Sequence, residues 1–335
     1  MVVITKDYFS IRQICESGQC FRLEQLGEAA GTDADSGHGN TGTRRKADLC
    51  GGQDTKEAGV ERYGLTALGR YLEIEQSKNE IKFDCTEEEF EQVWRPYFDL
   101  DEDYGKIMGL IDKEDAYLLE AAAFGKGIRI LRQDLWEIII SFIISQQNNI
   151  KRIRKNIGLL CQRYGEKKAA GRGMPYYDFP SPRALAQASL EDLYACGLGY
   201  RSRYIRETAL SVLKREVDLE RVKGLDYQAA KEELLKLCGV GIKVAECICL
   251  FALHQTDAFP IDTHIDKVLA RQYPDGFPFG RYRGYAGTIQ QYIFYYDLKT
   301  FLADNRRDGK NKGFKGDNNK EYESENNRVE DSQEP

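Results

Sequence analysis

Lys243 stands just after two glycines in the run LCGVGIKVA, residues 237–245. Helical periodicity resumes at residue 242, which puts this lysine in the first turn of a helix. The positive field of a helix N-terminus disfavours an ammonium group there, and the apolar neighbours Ile242, Val244 and Ala245 add desolvation in the same direction. An amine relieved of its proton can attack an electrophilic carbon. Nineteen residues on, in FPIDTHIDKVL (259–269), Asp262 precedes another helix. An aspartate there is a natural N-cap, and the same dipole keeps its carboxylate ionised. A carboxylate that steadies an oxocarbenium-like centre while a nearby amine attacks it is a workable pair for reaction at a sugar carbon. Each residue also has a plainer use: a cap for Asp262, a phosphate contact for Lys243. His264 sits at the same helix start and reads equally as a phosphate-contacting donor or a packed histidine.

The lysine run has an echo upstream. Residues 195–203 read ACGLGYRSR, so C-G-x-G occurs twice, each time between helical patterns and each time followed closely by a basic side chain. Two glycines around one apolar residue make a tight helix–helix turn. Such a turn points backbone N–H groups and the next helix start outward, a geometry that suits a phosphate oxygen.

The segments that must carry these residues divide into two kinds. Residues 1–85 are β-rich, and residues 71–85 alternate on either side of Ser77-Lys78-Asn79 as a hairpin does. Residues 27–60, rich in Gly, Thr, Ala and Asp, read as a flexible insertion without a core, and its His38 and Cys50 are discounted as ligands. Thr86 and Glu89 have the capping-box spacing and open a helix through Trp94. Helical patterns follow over 133–145, 149–164, 201–215, 227–237, 242–253, 263–272 and 286–302, with Ser181-Pro182 as a cap and first-turn pair. The expected fold class is α+β: an N-terminal antiparallel β domain (1–115), a large all-α region (116–302) with a hairpin at 229–253, and a disordered charged tail (303–335).

Composition narrows the function. The chain has 335 residues and a formal charge of −6, but residues 121–300 carry +8 while residues 1–120 carry −12 and the remainder −2. Local charge decides whether a surface attracts phosphates, so nucleic acid stays open as a partner. No apolar run reaches the roughly 18–20 residues of a membrane span. The start MVVITKDYFSIRQ has no secretory pattern, so the expected location is cytoplasmic and nucleoid-associated in a bacterium, or nuclear in a eukaryote. Nine cysteines without disulfide or zinc spacing read as reduced, buried thiols.

Taken together, LCGVGIKVAECICLFAL, FPIDTHIDKVL and YAGTIQQYIFYYDL resemble the helix-hairpin-helix glycosylase superfamily. SGQCFRLE (17–24), ILRQDLWEIIISFIISQQNNIKRI (130–153) and GLGYRSRYI (197–205) place the resemblance in its 8-oxoguanine DNA glycosylase/AP lyase branch. The likeness spans nearly all of the chain except the 27–60 insertion and the tail. It implies an active site in a cleft between helical subdomains and a target base flipped out of the duplex. It implies that Lys243 attacks C1′ as the nucleophile, forming a Schiff base that permits β-elimination, and that Asp262 is the essential carboxylate. Gly18, Cys247, Gln290 and Phe294 would form the base pocket. The Gly18 carbonyl would read the proton that oxidation adds at N7, Gln290 the base edge, and Phe294 with Cys247 the two faces.

The same resemblance makes Tyr200 a wedge beside the extruded base and Arg152 and Arg201 readers of the estranged cytosine. Gln147 stands where familiar eukaryotic members have asparagine, which puts the opposite-base preference in question. Gly239, Gly241 and His264 would hold a backbone phosphate, with a structural rather than catalytic ion at the hairpin. No cofactor is expected, and no iron–sulfur cluster, because no cysteine follows Cys249. The expected partner is damaged double-stranded DNA, met by a monomer without a membrane. Two alternatives stand beside this reading: a glycosylase of the same fold for another base, and a hairpin DNA-binding module without catalysis.

Overall fold

The computed structural model describes residues 1–27, 59–170, 173 and 175–311, with 301–311 as backbone alone. Most of the expected insertion, with His38 and Cys50, and the tail beyond residue 311 lie outside the described residues.

Five antiparallel strands form the N-terminal sheet: β1 (Val2–Thr5), β2 (Leu23–Gln25), β3 (Glu61–Ala67), β4 (Arg70–Ser77) and β5 (Glu80–Phe83), in the order β1-β5-β4-β3-β2. The β4–β5 hairpin turns where the alternation breaks. Ser77 pairs with Glu80, and Lys78 takes a left-handed φ of +53°. Leu65, Leu72, Ile74, Ile81 and Phe83 bury one face against helix α1 (Ile11–Glu16) and the aromatic residues Phe90, Trp94 and Phe98. Thr86 caps the next helix as expected, accepting from the Glu89 amide at 3.1 Å. That helix contains an unexpected π-turn over Phe90–Trp94, flanked by α2 (Glu87–Glu89) and α3 (Arg95–Tyr97).

Two helical groups follow, each with its own core. The first contains α6 (Leu135–Ser145), α7 (Ile150–Tyr164), α8 (Pro182–Gln187), α9 (Leu190–Ala195), α10 (Arg201–Leu213), α11 (Leu219–Lys223), α12 (Tyr227–Leu234) and α13 (Ile242–Phe251). Nine of the eleven residues of α6 are buried, which makes it the central post of this group. Each fully buried Leu, Ile or Phe contributes roughly 1.5–3 kcal/mol relative to exposure. The second group packs α5 (Ala116–Phe124), which follows the short α4 (Tyr104–Gly109), against α14 (Thr263–Gln272) and α15 (Ala286–Asn311).

The structure departs from expectation in two further places. The region expected to be all-α holds a small hairpin, β6 (Lys167–Ala169) with β7 (Pro175–Tyr177), and α15 runs to Asn311 rather than ending near residue 302.

Candidate active site

Each candidate reacting group is delivered by a helix end, and the reason is local in every case except one. Asp262 is the N-cap of α14, its Oδ1 accepting from the amides of His264 at 3.1 Å and Ile265 at 2.8 Å. Gly241 caps α13 with extended backbone and no side-chain bond, so the first amides of that helix have no capping side chain. Lys243 lies in that first turn, half-buried, with Nζ 5.4 Å from the centroid of the Phe142 ring. Gly239 has φ +79°, and a Cβ there would lie 2.7 Å from Tyr204, so both conformation and space require glycine. The exception is Gly18, in the loop after α1: it sits at φ +76°, and nothing in its local sequence shows what it faces.

Tertiary packing answers that question. A cavity of about 50 Å³ is lined by Ser17 and Gly18 from the β domain, Phe142, Lys243, Cys247 and Phe251 from the first helical group, and Pro260, Asp262, Gln290, Gln291 and Phe294 from the second side. Cys247 lies one turn from Lys243 on α13. Burial pushes its thiol up to about 11, with the Lys243 charge pulling the other way. Gln290 donates to the Pro260 carbonyl at 3.0 Å and accepts from Gln291 at 3.0 Å. The Phe294 ring covers Gly18, its Cε1 lying 3.4 Å from the place a Cβ on Gly18 would occupy.

Residues 1–139 match the 8-oxoguanine DNA glycosylase N-terminal domain, and residues 140–275 match the HhH-GPD superfamily of base excision DNA repair proteins. A probable N-glycosylase/DNA lyase of Methanothermobacter thermautotrophicus is 31% identical over 275 residues, covering 73% of this chain and 83% of that one. This chain belongs to the 8-oxoguanine DNA glycosylase family. The 8-oxoguanine glycosylase/lyase of Clostridium acetobutylicum, bound to duplex with cytosine opposite 8-oxoguanine, superposes with TM-score 0.74 at 32% identity, over 90% of this chain and 99% of that one. MBOgg1 in complex with a low-affinity DNA ligand superposes with TM-score 0.76 at 29% identity, over 89% and 96%. The chain is accordingly a DNA N-glycosylase and DNA lyase of base excision repair.

In this glycosylase the cleft lies between the two helical groups, as the resemblance implied. The other expected site residues gather around a second feature, the loop between α6 and α7. Gln147 is exposed there at φ +46°. Tyr200, 44% exposed at the start of α10, packs edge-on against Tyr204. Arg152 is exposed in the first turn of α7. Arg201 opens α10 beside that loop. It is buried, and its guanidinium donates to the carbonyls of Gln146 at 2.9 Å, Gln147 at 3.0 Å and Leu198 at 3.3 Å. It braces the loop, with three carbonyls converging on one planar donor. Gln146 ties the same loop to the lysine hairpin by donating to the Gly239 carbonyl at 2.9 Å.

His264 Nε2 stands 2.9 Å from the Asp297 carboxylate, which also receives Arg271 at 2.6 Å, and its ring meets the edge of Phe294. Asp297, Gln291 and Phe142 were not visible in the sequence as site residues. Gln291 carries a weak signal, a polar amide in an otherwise apolar helical face. Its Oε1 is buried without a hydrogen-bond partner among the described residues. Nor do any three His, Cys, Asp or Glu side chains among the described residues converge as metal ligands. Among the described residues no helix is long and apolar enough to cross a membrane.

Proposed function

We propose that this enzyme excises 8-oxoguanine opposite cytosine, with Lys243 as nucleophile and Asp262 as the carboxylate that steadies positive charge at C1′. The observation that carries this reading is the convergence of Lys243, Asp262, Gly18 and Phe294, from four separate segments, on one cavity. The Lys243 amine forms a bond to C1′ as the bond from C1′ to the base breaks, and the base leaves with a proton. The resulting N,O-acetal opens to an imine, releasing the ring oxygen as a hydroxyl. Loss of a C2′ proton then expels the 3′ phosphate. Gly18 accepts from N7–H of the oxidised base, a donor that guanine lacks. Gln290 reads the base edge, and Cys247 and Phe294 cover its faces.

Tyr200 fills the gap left in the stack, with Gln147 beside it. Arg152, already exposed, reads the estranged cytosine, and Arg201 joins it once the loop opens. The turn at Gly239 and Gly241, with the uncapped first amides of α13, holds a backbone phosphate together with a structural ion at the hairpin, and His264 at the start of α14 is a further phosphate donor. The enzyme works as a monomer on duplex DNA without a catalytic cofactor.

The test is a panel of duplexes carrying 8-oxoguanine opposite each of the four bases, an alkylated purine, or adenine opposite 8-oxoguanine. Release of 8-oxoguanine with strand cleavage, fastest opposite cytosine, is expected. Faster release of the alkylated purine or the adenine would transfer the enzyme to another base.

A further inference from the structure

Gln19 follows Gly18 directly and is completely buried, yet it does not line the cavity. Its Oε1 accepts from the Leu131 amide at 2.9 Å. Its Nε2 donates to Ser17 Oγ at 2.9 Å and to the Arg129 carbonyl at 2.9 Å. Gln133 bonds back, its Nε2 donating to the Gln19 carbonyl at 2.8 Å. Ser17 Oγ in turn donates to the Ile14 carbonyl at 2.9 Å. The residues on both sides of Gly18 are thus fastened, and among the described residues no hydrogen bond engages the Gly18 carbonyl itself.

The segment 129–133 that receives these bonds is also joined to the lysine helix. The Gln133 amide donates to the carbonyl of Phe251, the last residue of α13, at 3.1 Å. One short linker therefore holds the Gly18 loop on one side and the helix of Lys243 and Cys247 on the other. The two attachments differ in kind. The link to α13 is backbone to backbone and survives side-chain substitution, whereas the link to Gly18 depends on two glutamine amides. Buried polar networks with every member paired hold their geometry rigidly, and a functional group is only as precise as the residues supporting it.

We propose that Gln19 and Gln133 form a clamp that fixes the Gly18 carbonyl relative to Lys243, making them positioning residues for selection of the oxidised base. This rests on the reading of Gly18 as the acceptor for N7–H. A misplacement of about 1 Å can cost on the order of 10²-fold in rate. The loss should fall on base recognition alone, because an abasic site presents no base to Gly18.

The experiment uses the full chain and the variants Gln19→Leu and Gln133→Leu. Two quantities are read: single-turnover release of 8-oxoguanine opposite cytosine, and borohydride capture on a duplex with a preformed abasic site. Release is expected to fall at least about tenfold in either variant, with abasic capture within about twofold of wild type. Equal losses on both substrates, or no loss on either, would overturn the clamp. Should Gln19→Leu fail to fold, Gln133→Leu, which strands only one carbonyl at the edge of the network, decides the matter. A wild type that captures the abasic site but ignores 8-oxoguanine would instead overturn the Gly18 reading, and the clamp with it.

Discussion

Asparagine caps a helix about as well as aspartate, so Asp262→Asn separates the two duties of that residue. The cap on α14 should persist, with thermal stability changed by less than about 1 kcal/mol, while excision falls on the order of 10²-fold or more. Calorimetry alongside single-turnover kinetics checks both. Unfolding of the variant would mean that the cap dominates. Lys243 and Asp262 were legible because each stands at a helix start that the sequence marks, by two glycines in one case and a proline in the other. Gln291 and Asp297 were not, because their importance comes from α15 packing against α14 and across the cleft. For Arg201 the position was legible and its contacts were not. Its position suggested a base reader, but only the folded loop shows three carbonyls waiting for its guanidinium.

Capping chemistry announced several elements in advance: Thr86, Ser181 and Asp262 all accept from the amides their spacing implied. The π-turn at Phe90–Trp94 and the β6–β7 hairpin gave no such notice, since neither has a run long enough to set a period. Glu137, in the first turn of α6, yields a test at this level. It faces Arg22 of the β domain at 3.1 Å. Burial pushes its carboxyl from 4.5 up to about 7, against the pull of Arg22. Between those values the folded chain binds more protons than the unfolded one, so stability falls as pH rises through that window. Urea midpoints should drop from about pH 5 to about pH 8, and Glu137→Gln should flatten the trend by on the order of 1 kcal/mol. An equally steep trend in the variant would place the titration elsewhere.

Three hydrophobic cores make up the described molecule, and the cavity lies where residues from all three regions meet. The alternation of residues 71–85 and the helical periods made this architecture readable, but the meeting of the cores depends on long-range packing. Charge is divided just as unevenly: the chain is −6 overall, while residues 121–300 carry +8. Duplex affinity should therefore weaken steeply with salt, the logarithmic slope growing by about 0.9 per phosphate neutralised. A flat response in a salt titration would contradict a basic DNA face. The proposed mechanism turns on an imine between Lys243 and the deoxyribose, which needs the β domain and both helical groups in register. Borohydride added during turnover of a duplex carrying 8-oxoguanine opposite cytosine tests it most directly. A covalent protein–DNA adduct is expected with wild type and none with Lys243→Gln. Equal trapping by that variant, or full-speed base release without the amine, would contradict it.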